Sequence, residues 1–468
     1  MKLNDRFRDV TAGTALLLVL LTCGMASCSP RSQAPEERKS RPNVILISLD
    51  TLRADHLSCY GYERKTSPRI DAFAEYATRY TRAFATAPWT VPTHGSMFTG
   101  KLPFEHGAHT VMVDRPMYNV KRLPLEHLTL AEAISGEGYV TGAFVANTAH
   151  LNTNTQLNQG FETYHVERLH ADKLNRRIFP WLDSHADKRF FLFINYIDTH
   201  RPYNTTPRPG FLDKPAIQDR GQLLDLLIEQ VMPGTGPIPH DLVQQVKDQY
   251  DTALANMDEH VGALLDKLRT MGLYDKTMIV VTSDHGEYFG EHHLVEHSKD
   301  VYQEAMWVPL VIKNPGQQTG RVETIVTSST DIPNLIFSQF PRDVAERYTT
   351  LYPDAPGNHF VISENYYTRA KDLFHDQWGH RFKRVRTVVY DWPYKYIHSS
   401  DGNHELYDLS SDPGETNSLI VLRPKLAGQL ASILKEVRNR RTTWPDTSAP
   451  PPLNEKQIQR LKSLGYVR

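Results

Sequence analysis

The amino-acid sequence predicts an α/β protein with a large, mostly parallel central sheet flanked by helices and a small α+β subdomain at its C-terminus. Two observations support this prediction. Apolar runs of strand length alternate with amphipathic segments of helix length between about residues 42 and 345, which is the pattern of a doubly wound domain. After residue 345 the pattern changes to short strands joined by a turn and followed by one helix, which is typical of a separate α+β unit.

The strands of the large domain are predicted from continuous apolar runs, because strands of a parallel sheet are buried on both faces. The run NVILISLD ends at Asp50, RFFLFINYIDTH leads to Asp198 and His200, and TMIVVTSDHGE leads to Asp284 and His285. Ligands of open α/β sheets bind beyond the carboxyl ends of the strands, so we expect these acids and imidazoles to converge. The runs YVTGAFVAN and VPLVIKNP predict further strands.

Helices are predicted in both parts of the chain. The segment LVQQVKDQYDTALANMDEHVGALLDKLRTMG places its apolar residues on one helical face, and Gly272 is suited to its C-cap. In the C-terminal subdomain, expected over residues 346–468, RVRTVVYDWPYKYIHSSDGNHELYDL predicts strands separated by the turn SSDGNH. RPKLAGQLASILKEVRNRR predicts one helix after them.

Composition excludes some classes of partner. The chain has 468 residues, of which 40% are hydrophobic and 23% are charged, and its formal net charge is -1. This composition is typical of a globular protein. A nearly neutral chain lacks the overall basic character of many nucleic-acid-binding proteins, so we expect no nucleic-acid partner.

The first 28 residues have the layout of an export signal. Scattered charges precede an apolar run at residues 16–21, which is followed by small residues. The motif MASC, ending in Cys28, resembles the end of a bacterial lipoprotein signal and predicts lipidation of Cys28; plain secretion and a retained anchor are the alternatives. Residues 29–41 are polar and contain prolines, as in a flexible linker. We therefore expect an exported protein of the bacterial cell envelope, in the periplasm or at the cell surface, which contacts the membrane only through its lipid anchor.

An anion site is predicted where the stretch PWTVPTHGSMFTG begins a helix. Pro92 suits the first turn of a helix, because the N–H that proline lacks would have no partner there. Free N–H groups and the positive end of the helix dipole would then gather around Thr90. Two interpretations are open: Thr90 only caps the helix, or its hydroxyl acts at the anion site.

Five segments together resemble the sulfatase family of the alkaline phosphatase superfamily. They are NVILISLDTLRADHLSCYGY, TVPTHGSMFTGKLPFEHG, FLFINYIDTHRPY, VVTSDHGEYFGEHHLVEHSKDVYQEAMWVPLVI and ELYDLSSDPGETN. The resemblance covers most of the chain. It implies an alkaline-phosphatase-like fold, a catalytic domain over residues 42–345 and hydrolysis of an anionic ester.

The resemblance implies a metal centre and a nucleophile. Asp50, Asp284 and His285 would bind one divalent metal ion, with Thr90 as a further ligand and as the nucleophile. Two carboxylates, an alkoxide and an imidazole suit Mn²⁺ or Zn²⁺ somewhat better than Ca²⁺ or Mg²⁺, although all four ions are compatible with the set.

The resemblance also implies residues that contact the substrate. Lys299 would contact the anion, His200 would contact the substrate or the leaving group, and His297 lies close enough to Lys299 in the sequence to join it. His94 occupies the place of an arginine that is usual in the family. Dinuclear relatives use an acid and a histidine three residues apart for a second ion, whereas Asp198 and His200 are two apart, which argues against a second ion here.

Two departures from the family pattern affect the chemistry. Sulfatases usually carry cysteine or serine at the position of Thr90, which is oxidised to formylglycine. Oxidation of threonine could give only a ketone, so we expect no formylglycine. In addition, Thr51 replaces the usual second aspartate of the first metal segment, and His285 replaces a metal-binding asparagine.

The predicted function is therefore metal-dependent hydrolysis of an anionic ester, on a small molecule or a glycan, through Thr90. Family resemblance points to a sulfate ester, whereas the unmodified threonine points to phosphodiesters or phosphonates. A phosphoethanolamine-type transferase with a phospho-Thr90 intermediate is one alternative. A non-catalytic envelope lipoprotein that binds glycans is another.

Overall fold

The computed structural model describes residues 41–117, 119–203, 206–211, 221–349 and 360–440. The predicted signal peptide at residues 1–28, Cys28 itself and the linker up to residue 40 lie outside the described residues. The strands are β1 (Asn43–Leu49), β2 (Thr78–Tyr80), β3 (Ala83–Phe84), β4 (Val140–Val145), β5 (Thr163–Val166), β6 (Phe190–Tyr196), β7 (Thr277–Thr282), β8 (Tyr288–Phe289), β9 (Val295–Glu296), β10 (Leu310–Lys313), β11 (Arg321–Glu323), β12 (Thr327–Ser328), β13 (Val361–Asn365), β14 (Arg386–Asp391), β15 (Tyr394–Ser399) and β16 (Glu405–Asp408). The helices are α1 (Pro68–Ala74), α2 (Thr90–Thr99), α3 (Pro103–His106), α4 (Leu130–Gly136), α5 (Ala171–Ser184), α6 (Gly221–Val231), α7 (His240–Thr270), α8 (Gln303–Met306), α9 (Ile332–Phe337), α10 (Arg342–Thr349), α11 (Ala370–Leu373) and α12 (Pro424–Arg440).

An eight-stranded sheet forms the centre of the fold, in the order β11-β2-β10-β7-β1-β6-β4-β5. The neighbouring strands β7, β1, β6, β4 and β5 are all parallel, and β10 is antiparallel to both of its neighbours. β1, β6 and β7 are buried along their whole length, as expected for strands that helices cover on both faces. The mostly parallel central sheet predicted from the sequence is confirmed.

The long helix α7 packs against α1, α5 and α6. Its buried positions include Val246, Tyr250, Leu254, Val261 and Leu268, which recur at the spacing of one helical face. Gly272 follows the end of the helix with φ at +64°, a left-handed conformation that glycine adopts without steric cost. Within the described ranges, no helix is both long enough and apolar enough to cross a bilayer.

A second sheet, β13-β14-β15-β16, is antiparallel throughout. α12 packs on it, and Leu430 and Leu434 share a buried cluster with Val389 and Leu406. The turn SSDGNH joins β15 to β16, as the sequence predicts. β13 was not predicted, because its sequence VISEN is short and polar in its second half.

Candidate active site

The ends of neighbouring strands bring three of the predicted metal ligands together. Asp50 follows β1, and Asp284 and His285 follow β7, which pairs with β1 in parallel. Ligand atoms of the three side chains all lie within 4.8 Å of one another, and the three residues are fully buried. Parallel neighbours end at the same edge of a sheet, so the topology itself produces this convergence.

Thr90 reaches the same group from α2. It is the first residue of the helix, and its Oγ1 lies 3.4 Å from His285 Nε2. The N-cap is Trp89 and not Thr90, so the interpretation of Thr90 as a simple cap is not supported. Gly100, at φ +64°, ends the helix. The hydroxyl therefore lies at the N-terminal end of α2, where free N–H groups favour an anion.

Two carboxylate oxygens of the Asp50–Asp284–His285 group are also available to bind a divalent cation. Asp50 Oδ1 and Asp284 Oδ2 are buried and accept no hydrogen bond from the described part of the chain, although His285 Nε2 lies 3.3 Å from the latter. A buried carboxylate oxygen without a partner is costly. A cation between the two acids and the imidazole would supply that partner, and two carboxylates, a hydroxyl and an imidazole are a suitable donor set.

The pKa values of Asp50, Asp284 and His285 also favour the binding of a cation by this group. Burial, followed by repulsion from Asp284, raises the pKa of Asp50 to about 7. Burial alone would raise the pKa of Asp284, but His285 holds it below its usual range. Burial would lower the pKa of His285, but the Asp284 carboxylate raises it to about 9. The site thus binds positive charge, and a proton and a metal cation would compete for it.

Asn147 is a site residue that sequence reasoning missed. It follows β4, and its Nδ2 donates to Asp50 Oδ2 at 2.8 Å and lies 3.4 Å from Thr90 Oγ1. Asn195, near the end of β6, donates to the same Asp50 oxygen at 3.2 Å. Asn147 follows a buried strand just as Asp50 does, and this shared position is the signal that would have found it.

His94 contacts the backbone of Thr90. Its Nδ1 lies 2.9 Å from the Thr90 carbonyl oxygen, and its Nε2 lies 3.1 Å from Ser48 Oγ. Burial lowers the pKa of His94, so the ring is neutral, donates from Nδ1 to Thr90 and accepts at Nε2 from Ser48. These contacts fix α2 against β1 and suit a residue that positions Thr90.

His297 and His200 extend a row of imidazoles away from His285. The ring centroids of His297 and His285 are 4.6 Å apart, and those of His297 and His200 are 5.0 Å apart. Burial lowers the pKa of His200 and of His297 well below the usual value. Both rings are therefore neutral. His200 donates its single N–H, at Nδ1, to the Arg201 carbonyl oxygen at 3.0 Å, and His297 Nδ1 lies 3.2 Å from Glu287 Oε1.

The Lys299 ammonium has carboxylate partners. Its Nζ lies 2.6 Å from Asp372 Oδ2 and 3.5 Å from Glu296 Oε2, and all three side chains are buried. Asp372 lies beyond residue 345 and was not predicted as a site residue.

Asp198 serves a different purpose from the metal ligands. Its carboxylate accepts from the Ala171 N–H at the start of α5 and lies 3.2 Å from His170 Nδ1. The carboxylate thus fixes the start of α5.

Comparisons with known proteins agree with this architecture. A protein-family model described as Sulfatase matches residues 42–340. The ulvan-active sulfatase of Formosa agariphila is 25% identical over 460 residues, which cover 88% of this chain and 83% of the relative. The crystal structure of the phosphonate monoester hydrolase of Agrobacterium radiobacter superposes with a TM-score of 0.64 at 21% identity, covering 89% of this chain and 99% of that one. A structure in complex with its substrate D-glucosamine-2-N,6-O-disulfate superposes with a TM-score of 0.66 at 19% identity, covering 86% and 98%. The predicted alkaline-phosphatase-like fold is confirmed.

Proposed function

Because the chain belongs to the sulfatase family, we propose that it is a metal-dependent hydrolase that cleaves an anionic ester with Thr90 as the nucleophile. The observation that carries the proposal is the position of Thr90 Oγ1 at the start of α2, 3.4 Å from His285 Nε2. His285 belongs to a buried group of three potential metal ligands. We propose one divalent ion, Mn²⁺, Zn²⁺, Ca²⁺ or Mg²⁺, and no formylglycine.

Asp50, Asp284, His285 and Thr90 would hold the ion. When bound, it supplies positive charge that favours loss of the Thr90 hydroxyl proton. Thr90 Oγ1 attacks the sulfur or phosphorus of the ester, so that a new S–O or P–O bond forms while the bond to the leaving oxygen breaks. Water then cleaves the threonine ester, which releases the anion and restores the hydroxyl.

The surrounding residues would stabilise charge as these bonds change. N–H groups at the start of α2 and Asn147 Nδ2 can donate to the non-bridging oxygens, and Lys299 supplies a positive charge. His297 is neutral and can donate an N–H hydrogen bond to the leaving oxygen, whereas the single N–H of His200 donates to the Arg201 carbonyl oxygen, so that His200 Nε2 can only accept a hydrogen bond from the substrate. His94 holds the Thr90 carbonyl and thereby the direction of the hydroxyl.

The substrate class has two candidates. The family and the ulvan-active relative favour a sulfate ester, on a glycan or a small molecule. The name of the phosphonate monoester hydrolase neighbour and the unmodified Thr90 favour a phosphonate or a phosphodiester. We place the sulfate ester first, because a family model over residues 42–340 is stronger support than structural likeness at 21% identity.

Parallel assays separate these candidates. Purified protein is given aryl sulfate, phosphate monoester, phosphodiester and phosphonate, each after chelation and after return of one of the four ions. We expect ion-dependent turnover of at least one ester, and intact mass spectrometry should find the transferred group on Thr90. Absence of ion-dependent turnover on all four esters would contradict the proposal.

We also propose export to the cell envelope with a lipid on Cys28, which the layout of residues 1–28 supports. Metabolic labelling with a radioactive fatty acid should mark the wild-type protein and not the Cys28→Ser variant. Equal labelling of the two proteins would count against this proposal.

A further inference from the structure

We infer that Asp372 positions the Lys299 ammonium for the anionic ester, so that the segment after β13 completes the candidate active site. The inference rests on the proposed function, since it assigns Lys299 a task in that reaction. It adds a residue from the C-terminal subdomain, where the sequence predicted no site residue.

The first support is the ion pair itself. Lys299 Nζ lies 2.6 Å from Asp372 Oδ2, and the two side chains are 1% and 5% exposed. Arg369 pairs with Asp372 at 3.2 Å and also with Glu296, which lies 3.5 Å from Lys299. We call Glu296, Lys299, Arg369 and Asp372 the lysine network. Glu296 also pairs with Arg201, so the two anions of the network hold three cations.

The second support is the backbone around Lys299. The N–H of Ser298 donates to the carbonyl oxygen of Pro88 at 2.8 Å, two residues before Thr90. Asn365 Nδ2, at the end of β13, donates to the Lys299 carbonyl oxygen at 3.2 Å. Glu296 and Ser298 have φ of +63° and +64°, which is strained for residues other than glycine. The hydrogen bonds to Pro88 and from Asn365 hold the backbone in this conformation.

The third support is that β13 also holds the segment before the nucleophile. Ser363 Oγ donates to the Ala85 carbonyl oxygen at 2.6 Å, and the N–H of Glu364 donates to the Thr86 carbonyl oxygen at 2.7 Å. The strand therefore fixes the approach to Thr90, while the residues just after it fix Lys299. One segment of the C-terminal subdomain sets the position of the nucleophile relative to the cation.

Charge explains why Lys299 needs this partner. Burial lowers the pKa of Lys299, and so does Arg369, while Asp372 and Glu296 raise it. Glu287 is a further acid that interacts with Lys299. Loss of the Asp372 charge would therefore lower the pKa of Lys299 further. It would also remove the carboxylate that orients the Lys299 ammonium group.

The experiment compares Asp372→Asn with Asp376→Asn, an exposed aspartate four residues later, in the metal-loaded full chain. On the ester that the wild type cleaves best, we expect kcat/KM of Asp372→Asn to fall roughly 10²-fold. The basic limb of its pH profile should move to lower pH, because Lys299 loses its proton sooner. Asp372→Glu should recover part of the loss, and Asp376→Asn should match the wild type.

A purely structural role is tested with Lys299→Gln. If Asp372 acts through Lys299, adding Asp372→Asn to Lys299→Gln changes kcat/KM by less than about twofold, since interacting residues are not additive. The inference would be overturned if Asp372→Asn lowered kcat/KM equally in the wild type and in Lys299→Gln. An unchanged pH profile of Asp372→Asn would also overturn it. Thermal unfolding identifies a variant that fails to fold, in which case the Asp372→Glu and Lys299→Gln proteins decide.

Failure of the proposed function is distinguishable from failure of this inference. If the wild type turns over no ester, binding of inorganic sulfate and inorganic phosphate is measured by calorimetry instead. Weaker binding of either anion by Asp372→Asn than by Asp376→Asn supports the inference, and equal binding of both anions by the two variants overturns it.

Discussion

Two regions of the candidate active site differ in how the chain satisfies their charges. The Asp50–Asp284–His285 group is placed by the ends of two hydrogen-bonded strands and retains two carboxylate oxygens that accept no hydrogen bond within the described residues. The lysine network is placed by left-handed backbone and by a segment from beyond β13, and its charges pair with one another. The first region is therefore suited to receive a cation. The charges of the second are already paired within the protein, Glu296 with Arg201 as well, so this region is suited to orient one ammonium group.

We expect the largest effect at Thr90, which contacts His285 of the first region and lies two residues after Pro88, the partner of Ser298 beside the second region. Thr90→Ala should lower kcat/KM by roughly 10³-fold or more, because no other hydroxyl replaces the nucleophile. Thr90→Ser keeps a hydroxyl and should retain more activity than Thr90→Ala. Steady-state kinetics on the preferred ester measure both variants, and trapping by mass spectrometry should give an adduct only when residue 90 carries a hydroxyl. Full activity of Thr90→Ala would end the nucleophile assignment.

A second prediction separates the regions by metal content. Asp284→Asn should lose the bound ion and lower kcat/KM by more than about 10²-fold, because it removes one charge from a three-residue ligand group. Asp372→Asn should keep the ion, since Asp372 contacts Lys299 and Arg369. Elemental analysis after dialysis against a weak chelator measures both. Loss of the ion from Asp372→Asn would show that the regions are not independent, and retention by Asp284→Asn would contradict the assigned ligand.

The difference between the two regions also determines which of their residues could be predicted from the sequence. Asp50, Asp284 and His285 end buried apolar runs, so strand topology alone brings them together. Thr90 could be placed at the start of a helix because of Pro92, but its nucleophilic role came only from family resemblance.

The lysine network could not be predicted from local patterns. Asp372 pairs with Lys299 across 73 residues, and no periodicity in the sequence records such a contact. The left-handed conformation of Glu296 and Ser298 is also not encoded by glycine; tertiary contacts impose it. Asn147 was missed although it ends a strand, because its amide resembles an ordinary turn residue in the sequence.

A third prediction disturbs α2, which begins at Thr90, and leaves both charged groups unchanged. A Cβ at Gly95 would lie 2.8 Å from His106 Cε1 and 3.0 Å from His106 Nε2. This ring lies 3.1 Å from the Pro92 carbonyl oxygen and 3.2 Å from Ser96 Oγ, so it holds the first turns of α2. Gly95→Ala should therefore displace the helix, lower the free energy of unfolding by about 1–3 kcal/mol and reduce kcat/KM by about tenfold.

Gly428→Ala is the matched control, because Gly428 lies in α12 and a Cβ added there would meet nothing within 4 Å. It should leave kcat/KM unchanged and raise stability slightly, since alanine favours a helix over glycine by about 1 kcal/mol. Denaturant unfolding and kinetics are measured on both variants. Equal free energies of unfolding and equal kcat/KM of the two variants would mean that the contact between residue 95 and His106 relaxes without moving Thr90.

The smallest predicted effect on catalysis concerns Glu364, the buried acid of β13, because it appears only as a dependence of stability on pH. Burial raises the pKa of Glu364 to about 7 from the ordinary value of 4.5, although Arg438 and the Phe104 N–H both lower it. The folded state therefore holds this proton more tightly than the unfolded state does. The resulting contribution to stability is present at low pH and is lost as the pH rises from about 4.5 through about 7.

Glu364→Gln removes this titration and keeps an amide oxygen that can accept from the Phe104 N–H, which now donates to Glu364 Oε2 at 2.9 Å. At pH 8 the variant should be more stable than the wild type by about 1–3 kcal/mol, and at about pH 4, below the ordinary pKa of a glutamate, the difference should nearly vanish. Denaturant unfolding at half-unit steps of pH measures the difference. Because the metal ligands are the same in both proteins, their titration cancels, and a difference that stays constant with pH would mean that Glu364 is already ionised in the folded protein.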